Sequence, residues 1–212
     1  MSHIMSNKIS KLTILCLLLL SSCATTTMVD RTVKFNKNKV LSTISAVDST
    51  FNEFESLLYV DIKSQNMYLL EEGLILKAFR VSSSYYGTGS EVNSLKTPLG
   101  KHEVYKKIGK DLPINAILKG RVWNGAIANV ITDDIDTDFD HVTSRILWLD
   151  GLEIGKNKGP GVDSRSRYIY IHGTAEEGLI GRPASDGCIR MYNTDVIDLF
   201  DLVNEKVQVW IY

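Results

Sequence analysis

From Leu57 onward the chain is cut into short apolar runs, each closed by a short polar link. Leu58-Tyr59-Val60-Asp61-Ile62 is followed by Met67-Tyr68-Leu69-Leu70 and then by Leu74 to Val81. The links Lys63-Ser64-Gln65-Asn66 and Glu71-Glu72-Gly73 suit tight hairpin turns. Runs of this length are too short for amphipathic helices and right for strands. Val104 to Ile108 and Ile146 to Leu149 continue the pattern, with loops marked by Gly87-Thr88-Gly89-Ser90 and Thr97-Pro98-Leu99-Gly100. The expected fold is mainly β with a few helices, a sandwich or barrel.

Arg167-Tyr168-Ile169-Tyr170-Ile171-His172 is the most informative run. Strand side chains alternate faces, so Ile169 and Ile171 share one face and Tyr168, Tyr170 and His172 the other. Gly173 is expected to end this strand and leave His172 at its tip. Asn193 is expected to cap a helix reaching about Val203, with Val196, Leu199, Phe200 and Val203 on one stripe. Val207-Gln208-Val209-Trp210-Ile211 then reads as a closing strand.

The N-terminus carries an export signal. Lys8 and Lys11 precede an apolar run from Leu12 to Leu20, and Leu20-Ser21-Ser22-Cys23 follows. The run is shorter than the roughly 20 residues of a membrane span but suits a signal-peptide core. The residues before Cys23 resemble a bacterial lipobox, which implies cleavage after residue 22 and lipidation of Cys23. Ala24, in place of Asp, favours the outer membrane by the same resemblance. Residues 1–22 are therefore read as a lipoprotein signal, 23–55 as a tether and 56–212 as the functional domain, facing the periplasm. A short helix near residues 44–57 fits within the tether's end.

Formal net charge is −1 for the whole chain. Removing residues 1–22 takes away Lys8 and Lys11 and no acid, which leaves about −3. This excludes a nucleic-acid binder, whose phosphate partners demand clustered Lys and Arg.

Export sharpens the cysteine arithmetic. Of the three cysteines, Cys16 and Cys23 lie in the signal, so Cys188 has no partner for an internal disulfide. It sits in Ser185-Asp186-Gly187-Cys188-Ile189-Arg190, downstream of His172-Gly173-Thr174. Gly178, Gly181 and Pro183 between them can turn the chain back. An imidazole within about 3 Å would take the thiol proton and lower the cysteine pKa. Gly187 allows close approach of a substrate, and N–H groups of Gly187 and Cys188 could hold an oxyanion. Separately, each of the two residues reads as a core residue; together, in an exported chain, they read as a nucleophile and its base.

Ile171-His172-Gly173-Thr174 and Ser185-Asp186-Gly187-Cys188-Ile189-Arg190-Met191 resemble the active-site signature of the YkuD-type L,D-transpeptidases. The likeness extends to the opening hairpin (Val60 to Tyr68), the Thr97-Pro98-Leu99-Gly100 loop and the stretch Asn193 to Trp210. It implies a YkuD-like β-sandwich or barrel over about residues 56–212. It also implies that Cys188 becomes an acyl carrier, that His172 acts as general base and then general acid, and that the Gly173 carbonyl orients His172. Arg190 would hold the loop or meet a substrate carboxylate, and Ser185 would shape the loop. The implied reaction releases D-Ala from a peptidoglycan stem peptide and transfers the acyl group to an amine, without cofactor or metal, in a monomer. A carboxypeptidase, or a hydrolase releasing wall-bound protein, would use the same pair. A non-catalytic wall-binding lipoprotein would use neither residue.

Asp186 departs from the pattern, which has His there. A carboxylate so near Cys188 opposes thiolate formation unless a cation such as His172 or Arg190 faces it. Asp134, Asp136, Asp138 and Asp140 alternate, but Phe139 and Arg145 stand where a calcium loop needs Gly and Glu; a solvated acidic loop is expected. His102 and His141 are expected at the surface or in loops. His172, Asp186 and Cys188 lack the spacing of a zinc site, and Gly87-Thr88-Gly89 is no dinucleotide fingerprint.

Overall fold

A computed structural model describes residues 31–212 of the chain; the signal, Cys23 and the beginning of the expected tether lie outside the described residues. In chain order the elements are α1 (Lys37–Val47), β1 (Ser56–Asp61), β2 (Asn66–Glu71), β3 (Leu74–Ser82), β4 (Gly100–Ile108), β5 (Ala116–Lys119), β6 (Val122–Ile127), β7 (Val142–Gly151), β8 (Tyr170–Thr174), β9 (Ile189–Met191), α2 (Asn193–Leu202) and β10 (Gln208–Ile211).

The expected hairpins form. β1, β2 and β3 pair antiparallel in sequence. Glu72 and Gly73 both hold positive φ, 46° and 74°, the two-residue turn whose twist matches flanking strands. Asp61 ties the first link by accepting from the Lys63 N–H at 3.0 Å.

The strand order is β4-β10-β1-β2-β3-β9-β8-β7, and β7 pairs back onto β4. The sheet thus closes on itself, which removes its edges. The β5–β6 hairpin hangs from β7. Two pairings are parallel, β1 with β10 and β8 with β9.

Alternation sorts each strand's residues between two cores. Leu58, Val60, Met67, Leu69, Val209 and Ile211 face inward with Leu147, Ile171, Ile189 and Met191, and the α2 stripe Val196, Leu199, Phe200 and Val203 joins them as expected. Leu57, Tyr59, Tyr68, Leu70 and Trp210 face outward, onto Ile44 of α1. Burying Ile44 fully contributes about 1.5–3 kcal/mol.

Three local expectations need correction. Residues 37–53, placed within the tether, form α1 and a 3-10 turn at Ser49–Glu53, seated on the outer face of β1, β2 and β10. The short helix expected near residues 44–57 thus lies earlier, with Val40, Leu41, Ile44 and Val47 as its apolar stripe. The strand expected at 167–172 begins at Tyr170, since Tyr168 holds φ of 57°. Gly173 does not end it: β8 runs to Thr174 with His172 at its centre. Nor does Asn193 cap α2; Tyr192 occupies that position, and the Asn193 side chain is buried in a polar network.

Candidate active site

The site is a consequence of parallel pairing. Ile171 lies beside Ile189, and His172 beside Arg190. Carrying that register back two residues sets Tyr170 beside Cys188. The isoleucines face the core, so Tyr170, His172, Cys188 and Arg190 all rise from the opposite face. His172 and Cys188 are diagonal neighbours on it. The fifteen residues between them return at Gly181, whose φ is 103°, and through the Ser84–Ser185 bridge.

Gly173 has a packing reason to be glycine. A Cβ there would stand 2.6 Å from Asn193 Oδ1 and 2.9 Å from the Thr143 carbonyl. Asn193 Oδ1 accepts from the hydroxyls of Thr143 and Ser144, both at 2.6 Å, and its Nδ2 donates to the Thr174 carbonyl at 2.7 Å. This buried network pins the strand that carries His172.

His172 is 1% exposed. Its Nδ1 lies 2.7 Å from the Gly173 carbonyl oxygen. A carbonyl only accepts, so Nδ1 carries the proton and Nε2 of the neutral ring has a free lone pair. Burial holds the imidazole pKa below the ordinary histidine value, opposed in part by Asp140.

Cys188 keeps part of its surface open to solvent, and the rest packs against the apolar cluster of Leu118, Ile146 and Tyr170. The thiol lies 3.5 Å from the Tyr168 carbonyl, to which it donates, and accepts from the Tyr170 N–H at 3.4 Å. Burial pushes its pKa up to about 12, and the Tyr170 N–H and the guanidiniums of Arg167 and Arg190 only partly offset this. Burial favours the neutral form of both side chains, and no hydrogen bond joins them, so the contact expected between thiol and imidazole is not formed here.

The loop before Cys188 is held by its own atoms. Ser185 Oγ donates to the Cys188 carbonyl at 2.6 Å and accepts from the Gly187 N–H at 3.2 Å. The Gly187 N–H, expected as an oxyanion donor, is therefore already engaged. Gly187 has φ of 118°, a backbone that favours glycine.

Arg190 is 0% exposed. Its Nη1 bonds Glu176 Oε2 at 2.7 Å and Asp140 Oδ1 at 3.1 Å. Of the two roles expected of it, the loop-holding one matches these contacts, since the side chain is buried on two carboxylates of the protein itself. Glu176 also accepts from the N–H and hydroxyl of Thr137, which fastens the acidic loop. That loop is thus not merely solvated: Asp140 binds Arg190, and Asp134 binds Arg182.

Asp186 is exposed and forms no ion pair among the described residues, so the cation expected to face it is not in contact. It lines a cleft of about 410 Å³ with Tyr85, Tyr86, Asp136, Asp138 and Asp140. Partial burial, then Asp140 and Asp136, holds its carboxyl above the usual range. His102 is not at the surface either. It is fully buried, between the Gly100 carbonyl and Ser164 Oγ, each at 3.0 Å.

Sequence reasoning overlooked two contributors. The turn residues Gly120 and Arg121 (φ 56° and 69°) carry the Arg121 guanidinium over Trp148 and Tyr168, with Nη1 donating to Tyr170 Oη at 3.1 Å. Arg167 donates to the Lys96 carbonyl at 2.7 Å and raises positive potential near Cys188. Neither residue stands in a recognisable motif. Among the described residues no group of three or more His, Cys, Asp or Glu is arranged to hold a metal ion.

A closed sheet that presents His-Gly-Thr on one strand, and Ser-Asp-Gly-Cys on the loop entering the parallel strand beside it, defines a class, and the comparisons name it. Residues 55–211 match the family model described as YkuD, the L,D-transpeptidase catalytic domain. The chain belongs to the YkuD family and carries an L,D-transpeptidase catalytic domain. It is 35% identical over 65 residues to the YkuD protein of Bacillus subtilis (strain 168), which covers 27% of this chain and 40% of that protein. Among solved structures it is similar to an L,D-transpeptidase from Mycobacterium smegmatis, at 14% identity and a TM-score of 0.48, covering 74% of this chain and 58% of that one. It is also similar to L,D-transpeptidase 3 from Mycobacterium tuberculosis, at 14% identity and a TM-score of 0.46, covering 74% and 61%. The chain thus spans less than two thirds of these relatives' lengths.

Proposed function

We propose that this chain is a periplasmic, lipid-anchored L,D-transpeptidase that acts on peptidoglycan stem peptides through a thioester on Cys188. The observation that carries this reading is the placement of Cys188 and His172 on one face of β8 and β9, with the proton of His172 committed to Nδ1.

The chemistry starts from a thiol whose ionisation burial opposes. It turns from the Tyr168 carbonyl toward His172 Nε2 as a stem peptide fills the site, a tightening expected of resting catalytic contacts. Sγ attacks the carbonyl of the residue preceding the terminal D-Ala, and the thiol proton passes to Nε2. The tetrahedral centre collapses, the C–N bond breaks, and His172 gives the proton to the departing D-Ala amine. An acceptor amine on a neighbouring stem then attacks the thioester, losing its proton to His172. The C–S bond breaks, the proton returns to sulfur, and a crosslink remains. Lipidation at Cys23 would hold the domain at the outer membrane, beside its substrate.

Purified protein incubated with tetrapeptide muropeptides and read by mass spectrometry tests this. Crosslinked dimers and free D-Ala are expected. Tripeptide alone would make it a carboxypeptidase, and unchanged muropeptides would make it a non-catalytic wall binder.

A further inference from the structure

The loop carrying Thr97 is in contact with the nucleophile loop, and one hydroxyl links them. Thr97 is fully buried. Its Oγ1 lies 3.0 Å from the Ser84 N–H and 3.0 Å from the Gly187 carbonyl oxygen. The roles are fixed by chemistry. An N–H only donates, so Oγ1 accepts from Ser84, and a carbonyl only accepts, so the single hydroxyl proton goes to Gly187.

The Gly187 carbonyl and the Cys188 N–H are two ends of one peptide plane. No peptide in the described chain is cis, so the N–H points away from the carbonyl's partner. Thr97 therefore sets the direction of the Cys188 N–H, sending it away from the Thr97 loop. A hydrogen bond on the carbonyl also polarises the amide and strengthens its N–H as a donor. The neighbouring groups are already engaged, since Ser185 Oγ holds the Gly187 N–H and the Cys188 carbonyl. Among the described residues the Cys188 N–H has no hydrogen-bond acceptor, and it belongs to the nucleophile itself.

Resting on the transpeptidase reading, we infer that Thr97 is a positioning residue for acyl transfer: its hydroxyl, bonded to the Gly187 carbonyl, aims and polarises the Cys188 N–H as the donor to the tetrahedral oxyanion. Ser84 is the second support, since its N–H fixes the hydroxyl rotor. The Ser84 hydroxyl in turn donates to the Leu95 carbonyl at 2.6 Å, holding the loop in place.

Two rates on the same protein separate this role from a structural one. Alkylation of Cys188 by iodoacetamide needs no oxyanion donor; acylation by a carbapenem does. Thr97→Val should slow acylation about 10- to 100-fold, less than the roughly 100- to 1,000-fold of losing an oxyanion donor outright because the N–H is misaimed rather than removed, and leave alkylation within about twofold. Thr97→Ser, which keeps the hydroxyl, should acylate at close to the wild-type rate. Equal acylation by Thr97→Val and wild type would overturn the inference, as would parallel loss of both rates, which marks a collapsed loop. Should Thr97→Val fail to fold, ¹⁵N-labelled wild type decides: the Cys188 amide proton should move downfield on acylation, and an unmoved resonance refutes the role. A wild-type chain that alkylates but never acylates fails one step earlier, at the transpeptidase reading, and takes this inference with it.

Discussion

The two faces of the β8–β9 pair are built from alternating residues of the same short stretches of chain and could hardly differ more. One face is Ile171, Ile189 and Met191, sealed into the apolar interior. The other is Tyr170, His172, Cys188 and Arg190, whose polar atoms make directional contacts with the Tyr168 and Gly173 carbonyls, with Glu176 and with each other. A dispersive core tolerates approximate replacement, because area and volume are its currency. A buried polar face does not, because one lost partner strands another group without water.

That contrast is broken most sharply at the sulfur. Cys188→Ala should lower acyl transfer about 10⁴-fold or more while the melting transition stays near wild type, since the thiol is only half-buried. A turnover assay beside thermal unfolding checks both halves. Next is Arg190→Met, which leaves Glu176 charged and buried without its partner. Loss of about 3–5 kcal/mol is expected in denaturant unfolding, far more than an apolar swap of that size costs on the other face.

A third effect concerns pH. Burial, opposed by the bond to the Gly100 carbonyl, holds His102 down at about 4. The folded state therefore binds fewer protons than the unfolded chain between about 6.5 and 4. Stability from this group is fully present above about 6.5, is lost as pH falls through that window, and levels off below it. The loss amounts to about 3 kcal/mol. Unfolding of the wild type and of His102→Gln at pH 7 and pH 4 should show the gap narrowing in the variant. The smallest effect is the apolar control: Ile171→Val should cost about 0.5–1.5 kcal/mol and leave the acylation rate within about twofold.

The same contrast explains what the sequence revealed. Period-two alternation predicted the core face and the hairpins, because β1, β2 and β3 pair with their chain neighbours and short links. The His172 and Cys188 motifs pointed to one site, although nothing local said that β8 and β9 lie side by side and parallel. Sequence did not give the state of the site. Whether Cys188 rests as thiolate or thiol depends on the apolar groups packed against it, contributed by β5, β7 and β8. Arg190 was ambiguous for a similar reason, since its partners Glu176 and Asp140 come from separate loops. Asn193 looked like a helix cap because its local setting fits one, but tertiary contacts with Thr143 and Ser144 claimed its side chain. The short helix expected near residues 44–57 falls too late in the chain, since α1 spans Lys37–Val47.

Intact-mass spectrometry of the chain mixed with a tetrapeptide stem and no acceptor bears most directly on the acyl-carrier role of Cys188. A species heavier by the stem less its D-Ala should accumulate, map to Cys188 and vanish in Cys188→Ala. Release of D-Ala by Cys188→Ala at the wild-type rate would contradict it.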